Sequence, residues 1–154
     1  MGEIYLTRIG RKRLVDELKE LQKKKSVVQD EIARAKELGD LRENAEYHAA
    51  KETLVNLMRR IVEVDSKITC SKIIEEQNID PDKIFIGVTV KIQDENGKDY
   101  KYTIVDSEEA DPNENRISIQ SPLAQGLLGH ESGEIVTVEL PVGKTKFKIL
   151  EIFR

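Results

Sequence analysis

Tyr47-His-Ala-Ala-Lys-Glu-Thr-Leu-Val-Asn-Leu-Met-Arg-Arg-Ile-Val-Glu-Val-Asp-Ser-Lys-Ile68 is the stretch from which the fold can be read. Tyr47, Ala50, Leu54, Leu57, Ile61, Val64 and Ile68 recur at alternating spacings of three and four, the seam of a helix that packs against another helix. Upstream, Leu14, Leu18, Leu21, Val28, Ile32 and Ala35 follow the same rule, with Lys25 in the one skipped apolar slot. Thr7 is placed to cap the start of that earlier helix. A break at Gly39 separates the two seams, and a short connection folds two such helices back on each other as an antiparallel coiled coil. Each arm of thirty-odd residues would run for about 45 Å at the helical rise. The far end of the hairpin falls at about residues 38–46.

Working outward, the chain changes character after residue 76. Residues 1–76 carry a net charge of +1 and residues 77–154 carry −5, and all four prolines (Pro81, Pro112, Pro122, Pro141) lie in the second part. A proline-free first part permits long helices. The second part reads as β-structure. Ile84–Gln93 is β-branched and partly alternating, Asp94-Glu-Asn-Gly97 is a turn, and Tyr100–Val105 returns. Arg116–Gln120 is a third strand. Ser121-Pro122 reads as a cap followed by proline at the first helical position, opening a short helix through Leu128 that Gly129 stops. Glu134–Leu140 and Lys146–Ile152, joined by Pro141-Val-Gly143, form a second hairpin. The expectation is an α+β chain: an N-terminal antiparallel coiled-coil hairpin over 1–76, a linker over 77–82, and over 83–154 a globular domain of antiparallel sheet with one short helix.

Composition excludes several classes of function. The 154 residues include one cysteine, Cys70, so neither a disulfide framework nor a multi-cysteine zinc site can be built. The two histidines, His48 and His130, are far apart in sequence. Apolar runs are too short for a membrane span and the N-terminus lacks a signal-peptide core, so a cytoplasmic protein without membrane partners is expected. A net charge of −4 provides no overall basic field for holding nucleic acid by counterion release alone. Gly97-Lys98 and Gly143-Lys144 lack the glycine five places earlier that a phosphate loop needs, and nucleophile-elbow, zinc-protease and C-x-x-C patterns are missing.

What remains is Gly39-Asp40-Leu-Arg-Glu-Asn-Ala-Glu-Tyr47 at the hairpin end. Asp40-x-x-Glu43 has the form of a capping box, and both acids suit the positive end of the second helix. Two carboxylates at the end of a rod are also hard ligands suited to Mg²⁺, which keeps waters and takes one or two protein carboxylates. Two acids make only part of a metal site, which a partner would have to complete. The spacing leaves both readings open.

Asp40-Leu-Arg-Glu-Asn-Ala-Glu-Tyr-His-Ala-Ala-Lys-Glu52 resembles the tip signature of the Gre family of bacterial transcript cleavage factors, nearest its GreA branch. Ser121-Pro-Leu-Ala-Gln-Gly-Leu-Leu-Gly129 resembles that family's C-terminal helix motif. Asp106–Asp111 followed by Ile117–Ser121 also fits, so the resemblance spans essentially the whole chain. It implies a coiled coil followed by an FKBP-like globule. It further implies a factor that is not itself an enzyme but stimulates the nuclease activity of RNA polymerase. The globule would dock at the rim of the polymerase secondary channel, and the coiled coil would enter the channel. There Asp40 and Glu43 would help hold a second Mg²⁺ at the polymerase centre, where backtracked RNA is cleaved at its 3′ end. The protein would carry no cofactor of its own and would be a monomer when free. Lys36, Arg42, Asn44 and Lys51 would meet RNA or polymerase near the tip, and Ser121 and Pro122 would lie in the docking segment. Tyr47 belongs to the motif but better closes the helical seam. A second reading is a channel occupant that inhibits polymerase without promoting cleavage, and a third is a coiled-coil adaptor. Retention of both acids favours cleavage, and the near-neutral first half fits GreA better than the more basic GreB type.

Overall fold

The structure, a computed structural model, describes residues 4–37, 44–78 and 80–153. It divides into two compact units, Arg11–Ser71 and a second that joins Met1–Gly10 to Lys72–Arg154. The first ten residues go with the C-terminal part.

The first unit is built on α1 (Arg8–Glu37) and α2 (Ala45–Cys70). Thr7 caps α1 as expected, its Oγ1 accepting a hydrogen bond from the Gly10 amide at 2.9 Å. Leu14, Leu21, Val28 and Ala35 are buried at intervals of seven, and Leu18, Lys25 and Ile32 are half-buried between them. Lys25 thus occupies the seam slot that the pattern left to it, where its aliphatic stem can pack while its ammonium reaches water. On α2, Ala50 and Val64 are buried and Tyr47, Leu54, Leu57, Ile61 and Ile68 half-buried. The antiparallel register is fixed by Arg60, whose Nε and Nη2 donate to Glu17 Oε1 and Oε2 at 2.9 and 3.0 Å. A two-point fork of this kind adds geometric specificity more than stability at a site about one-third exposed.

In the second unit, β1 (Ile4–Leu6) is hydrogen-bonded to β2 (Ser71–Ile73), a two-stranded element that helical periodicity does not announce. Leu6 is fully buried, and the Tyr5 ring meets Phe85 edge-on at 5.5 Å. The main sheet contains β3 (Thr89–Gln93), β4 (Asp99–Val105), β5 (Arg116–Ser118), β6 (Ile135–Leu140) and β7 (Gly143–Phe153), in the order β5-β4-β3-β7-β6. The helix α3 (Pro122–Leu127) packs on β6, with Gly126 so near Val138 that a Cβ there would lie 2.7 Å from Val138 Cγ2. Ile84, Val88, Val90, Ile92, Ile104, Leu127, Val138, Phe147 and Ile149 make the core. Each fully buried Ile or Leu adds about 1.5–3 kcal/mol of burial.

Two expectations need correction. The sheet is not wholly antiparallel, because β5 runs parallel to β4, with Thr103 opposite Arg116. Residues 106–115 form a connection long enough to carry the chain back to the start of β4, and Asp111 and Arg116 close it by exchanging backbone hydrogen bonds of 2.9 Å. A tight hairpin could only have given an antiparallel neighbour. The strand expected at Ile84–Gln93 begins at Thr89, although Ile84, Ile86 and Val88 keep their alternating burial. Among the described residues, no helix is long and apolar enough to cross a membrane.

Candidate functional site

The end of the hairpin is organised by one side chain. Asn44 is the N-cap of α2, and its Oδ1 accepts from the Tyr47 amide at 3.1 Å. Its Nδ2 donates at 2.9 Å to the carbonyl of Ala35, in the last turns of α1. A helix start has orphan donors and a helix end has orphan acceptors. An asparagine amide carries both complements, so this single side chain closes two helix termini at once. Sequence reasoning put the capping box at Asp40 and Glu43 and gave Asn44 a contact role. The cap belongs to Asn44, and Asp40, Arg42 and Glu43 lie outside the described residues.

Around this closure stand the other residues expected near the tip. Lys36 is exposed on the last turn of α1, which also carries Arg34. Lys51 is exposed one turn along α2, its Nζ 5.3 Å from the centroid of the Tyr47 ring, and the His48 ring meets Tyr47 edge-on at 5.5 Å. Tyr47 is half-buried in the seam and so serves the packing role expected of it. Beside it, Ala35, Ala49 and Ala50 floor a groove of about 520 Å³ whose walls include Glu31, Arg34 and Glu46. Small side chains at these seam positions thin the hairpin near its end.

The second candidate lies at α3. Ser121 Oγ accepts from the Ala124 amide at 3.2 Å, and Pro122 follows at the first helical position, exposed. The Gln125 side chain donates to the Ile119 carbonyl at 2.7 Å and so fixes the turn before the helix. At the other end of α3, Ile84, Phe85, Ile119 and Leu128 line an apolar groove of about 490 Å³, bordered by Asn78, Asp80 and Lys83. Sequence reading did not anticipate this groove. Its only local sign is Leu128, an apolar residue directly after the last helical turn.

A third arrangement concerns Asp106–Asp111. Asp106 is buried and accepts from the Glu108 amide at 3.0 Å, capping a single 3₁₀ turn over Ser107–Glu109. That turn delivers the Glu109 carboxylate to the start of α1. There it accepts from the Thr7 amide at 3.0 Å and from the Thr7 hydroxyl, and Arg116 Nη2 donates to it at 3.4 Å. Glu75 accepts from the Arg8 amide at 3.0 and 3.2 Å. The first turn of α1 contains no acid of its own, so these two carboxylates supply the negative charge that a helix start favours.

Comparison with known proteins gives the class. Residues 4–73 match the family model described as transcription elongation factor, N-terminal, and residues 77–154 match that of transcription elongation factor, GreA/GreB, C-term. The chain belongs to the GreA/GreB family and is a transcription elongation factor of the GreA type. It is 41% identical over 149 residues to the transcription elongation factor GreA of Nitratiruptor sp., covering 96% of this chain and 91% of that one. Against the protein of the same name from Flavobacterium johnsoniae it is 43% identical over 155 residues, covering 97% and 96%. Among solved structures, GreA factor homolog 1 of Thermus thermophilus aligns over 99% of this chain and 100% of its own, with 25% identity and a TM-score of 0.48.

Proposed function

We propose that this elongation factor binds RNA polymerase as a monomer, inserts its helical hairpin into the secondary channel, and stimulates cleavage of backtracked RNA at the polymerase's own centre. In this reading Asp40 and Glu43 supply hard oxygen ligands to a Mg²⁺ ion that the polymerase site completes. The chemistry is two-metal phosphodiester hydrolysis, in which Mg²⁺ activates water and stabilises the leaving oxygen. The protein provides no other reacting group and is not an enzyme on its own. Lys36, Arg42 and Lys51 would meet RNA phosphates or polymerase acids, and Ser121 and Pro122 would sit in the docking surface.

The observation that supports the reading is the double hydrogen bond of Asn44. It ties α1 to α2 at the residue directly after Glu43, so the segment that carries both acids begins and ends on helices held together. Carboxylates that must complete a partner's metal site gain from such a rigid base. The test is a stalled, backtracked elongation complex with labelled RNA in Mg²⁺, with and without the protein. Short 3′ fragments should appear with the wild type and be lost with Asp40→Asn, while polymerase binding survives. Loss of binding in that variant would make Asp40 structural. Intact RNA with slowed elongation by the wild type would replace cleavage with inhibition.

A further inference from the structure

We infer that the outward face of the five-stranded sheet is a binding surface for single-stranded RNA. Lys91, Lys101, Lys144, Lys146, Lys148 and Arg116, six of the nine basic residues of the acidic C-terminal part, stand on this one face. Along β7, Lys144, Lys146 and Lys148 are exposed, while Phe147 and Ile149 between and beyond them are buried in the core. Alternate residues of a strand are about 6.6 Å apart, so the three ammonium groups form an evenly spaced ladder. Lys148 lies opposite Gln93 of β3, and Lys91, two residues back on that strand, lies directly opposite Lys101 of β4. A like-charged pair across a ladder opposes strand pairing by a few tenths of a kcal/mol or more. Glu151, directly opposite Lys91 on β7, and Asp99 at 3.9 Å offset this for Lys91, as Glu139 does for Lys144 at 3.8 Å. Among the described residues, no ion pair engages Lys146 or Lys148.

The neighbouring row favours RNA over an acidic peptide or a duplex. Phe153 lies opposite Thr89, Thr89 lies opposite Thr103, and the two threonine hydroxyls share a hydrogen bond of 2.7 Å. Lys101 Nζ lies 4.5 Å from the Phe153 ring centroid. The face thus combines point charges for a phosphate backbone, hydroxyls that can meet a ribose, and an aromatic ring at the edge on which an unpaired base can stack. The basic residues of β7, β3 and β4 on this face are lysines, while Arg116 of β5, opposite Thr103, has its guanidinium engaged by Glu109. Because the whole molecule is anionic, binding is local and strongest at low salt.

The experiment measures anisotropy of a short fluorescein-labelled single-stranded RNA against the full chain across a salt titration. Neutralising each phosphate-bound lysine should flatten the slope of log affinity against log salt by about 0.7, so the triple variant Lys144→Gln/Lys146→Gln/Lys148→Gln should flatten it by about 2. Phe153→Leu should weaken binding about five-fold or more while leaving the slope unchanged. Thermal melting of each variant confirms that it is folded. An unchanged slope in the triple variant overturns the inference, as does wild-type protein that fails to bind. Equal or tighter binding of polyglutamate would make the face a protein-docking surface, and equal or tighter binding of duplex DNA would remove the single-strand reading. Both outcomes overturn the inference. None of these readouts involves Asp40, Glu43 or polymerase.

Discussion

The two long helices begin in opposite ways. The start of α2 is closed by its immediate neighbour, with Asn44 accepting from the Tyr47 amide three residues on. The start of α1 has a local cap in Thr7, but its charge comes from far along the chain, from Glu75 and Glu109. Local closure lets the end of the hairpin form from a few residues. Closure by distant carboxylates makes the first turn of α1 dependent on the C-terminal unit, which is why Met1–Gly10 belongs to that unit. Gly10 reflects the same difference. A Cβ at this position would stand 2.3 Å from Glu109 Cδ, so the close approach of the carboxylate requires glycine inside a helix.

The strongest way to break this contrast is a double-mutant cycle on Gly10 and Glu109. Glu109→Ala should lower unfolding free energy by about 2–3 kcal/mol, since it strips charged hydrogen bonds from Thr7 and Arg116 in a buried setting. Gly10→Ala alone should cost about 1–2 kcal/mol by displacing the carboxylate. In the Glu109→Ala background the same change should stabilise by up to about 1 kcal/mol, the ordinary helix preference for alanine. Urea denaturation of the four proteins reads the cycle, and simple additivity would show that the two residues do not couple.

Asn44→Ala should have a smaller effect, about 1 kcal/mol, the usual loss of an N-cap. Its signature is confinement. Amide exchange should quicken in the first turn of α2 and the last turn of α1, with the sheet unaffected. Faster exchange throughout the C-terminal unit would mean that the hairpin end is not locally closed.

The smallest effect belongs to Glu134, a carboxylate that closes its own loop. It accepts from the Glu131 amide at 2.6 Å and lies 3.1 Å from His130 Nδ1. The backbone hydrogen bond, aided by His130 and Lys83, holds its carboxyl below the ordinary carboxylate range. Its stabilising contribution is therefore present above the ordinary value and is lost as pH falls through the lowered one. Glu134→Gln should be slightly less stable than wild type at neutral pH, and the two should converge in acid. A gap that widens as pH falls would contradict this assignment.

Much of the hairpin is legible in the order of its residues. The heptad positions from Leu14 to Ala35 and from Tyr47 to Ile68 are buried or half-buried as their spacing requires, because one helical face repeats by its own geometry. Thr7 and Ser121 cap their helices, and Asn96-Gly97 turns with Gly97 at φ +82°, because each depends on residues within one turn. The candidate site is less legible. Its spacing suggests a cap at Asp40-x-x-Glu43, whereas the Tyr47 amide donates to Asn44 Oδ1 and so assigns the cap of α2 to Asn44. The apolar groove by Leu128 joins Ile84, Phe85, Ile119 and Leu128, which no local period relates.

The sequence by itself determined the class of fold, the helical seams, the caps of α1 and α3 and the Asn96-Gly97 turn, since those follow from interactions among near neighbours. Tertiary structure alone decided the pairing of β1 with β2, the parallel placement of β5, the carboxylates at the start of α1 and the alignment of lysines across β4, β3 and β7. Each of these joins segments far apart in the chain, and such a pairing is set by register and loop path, which no short window of residues encodes.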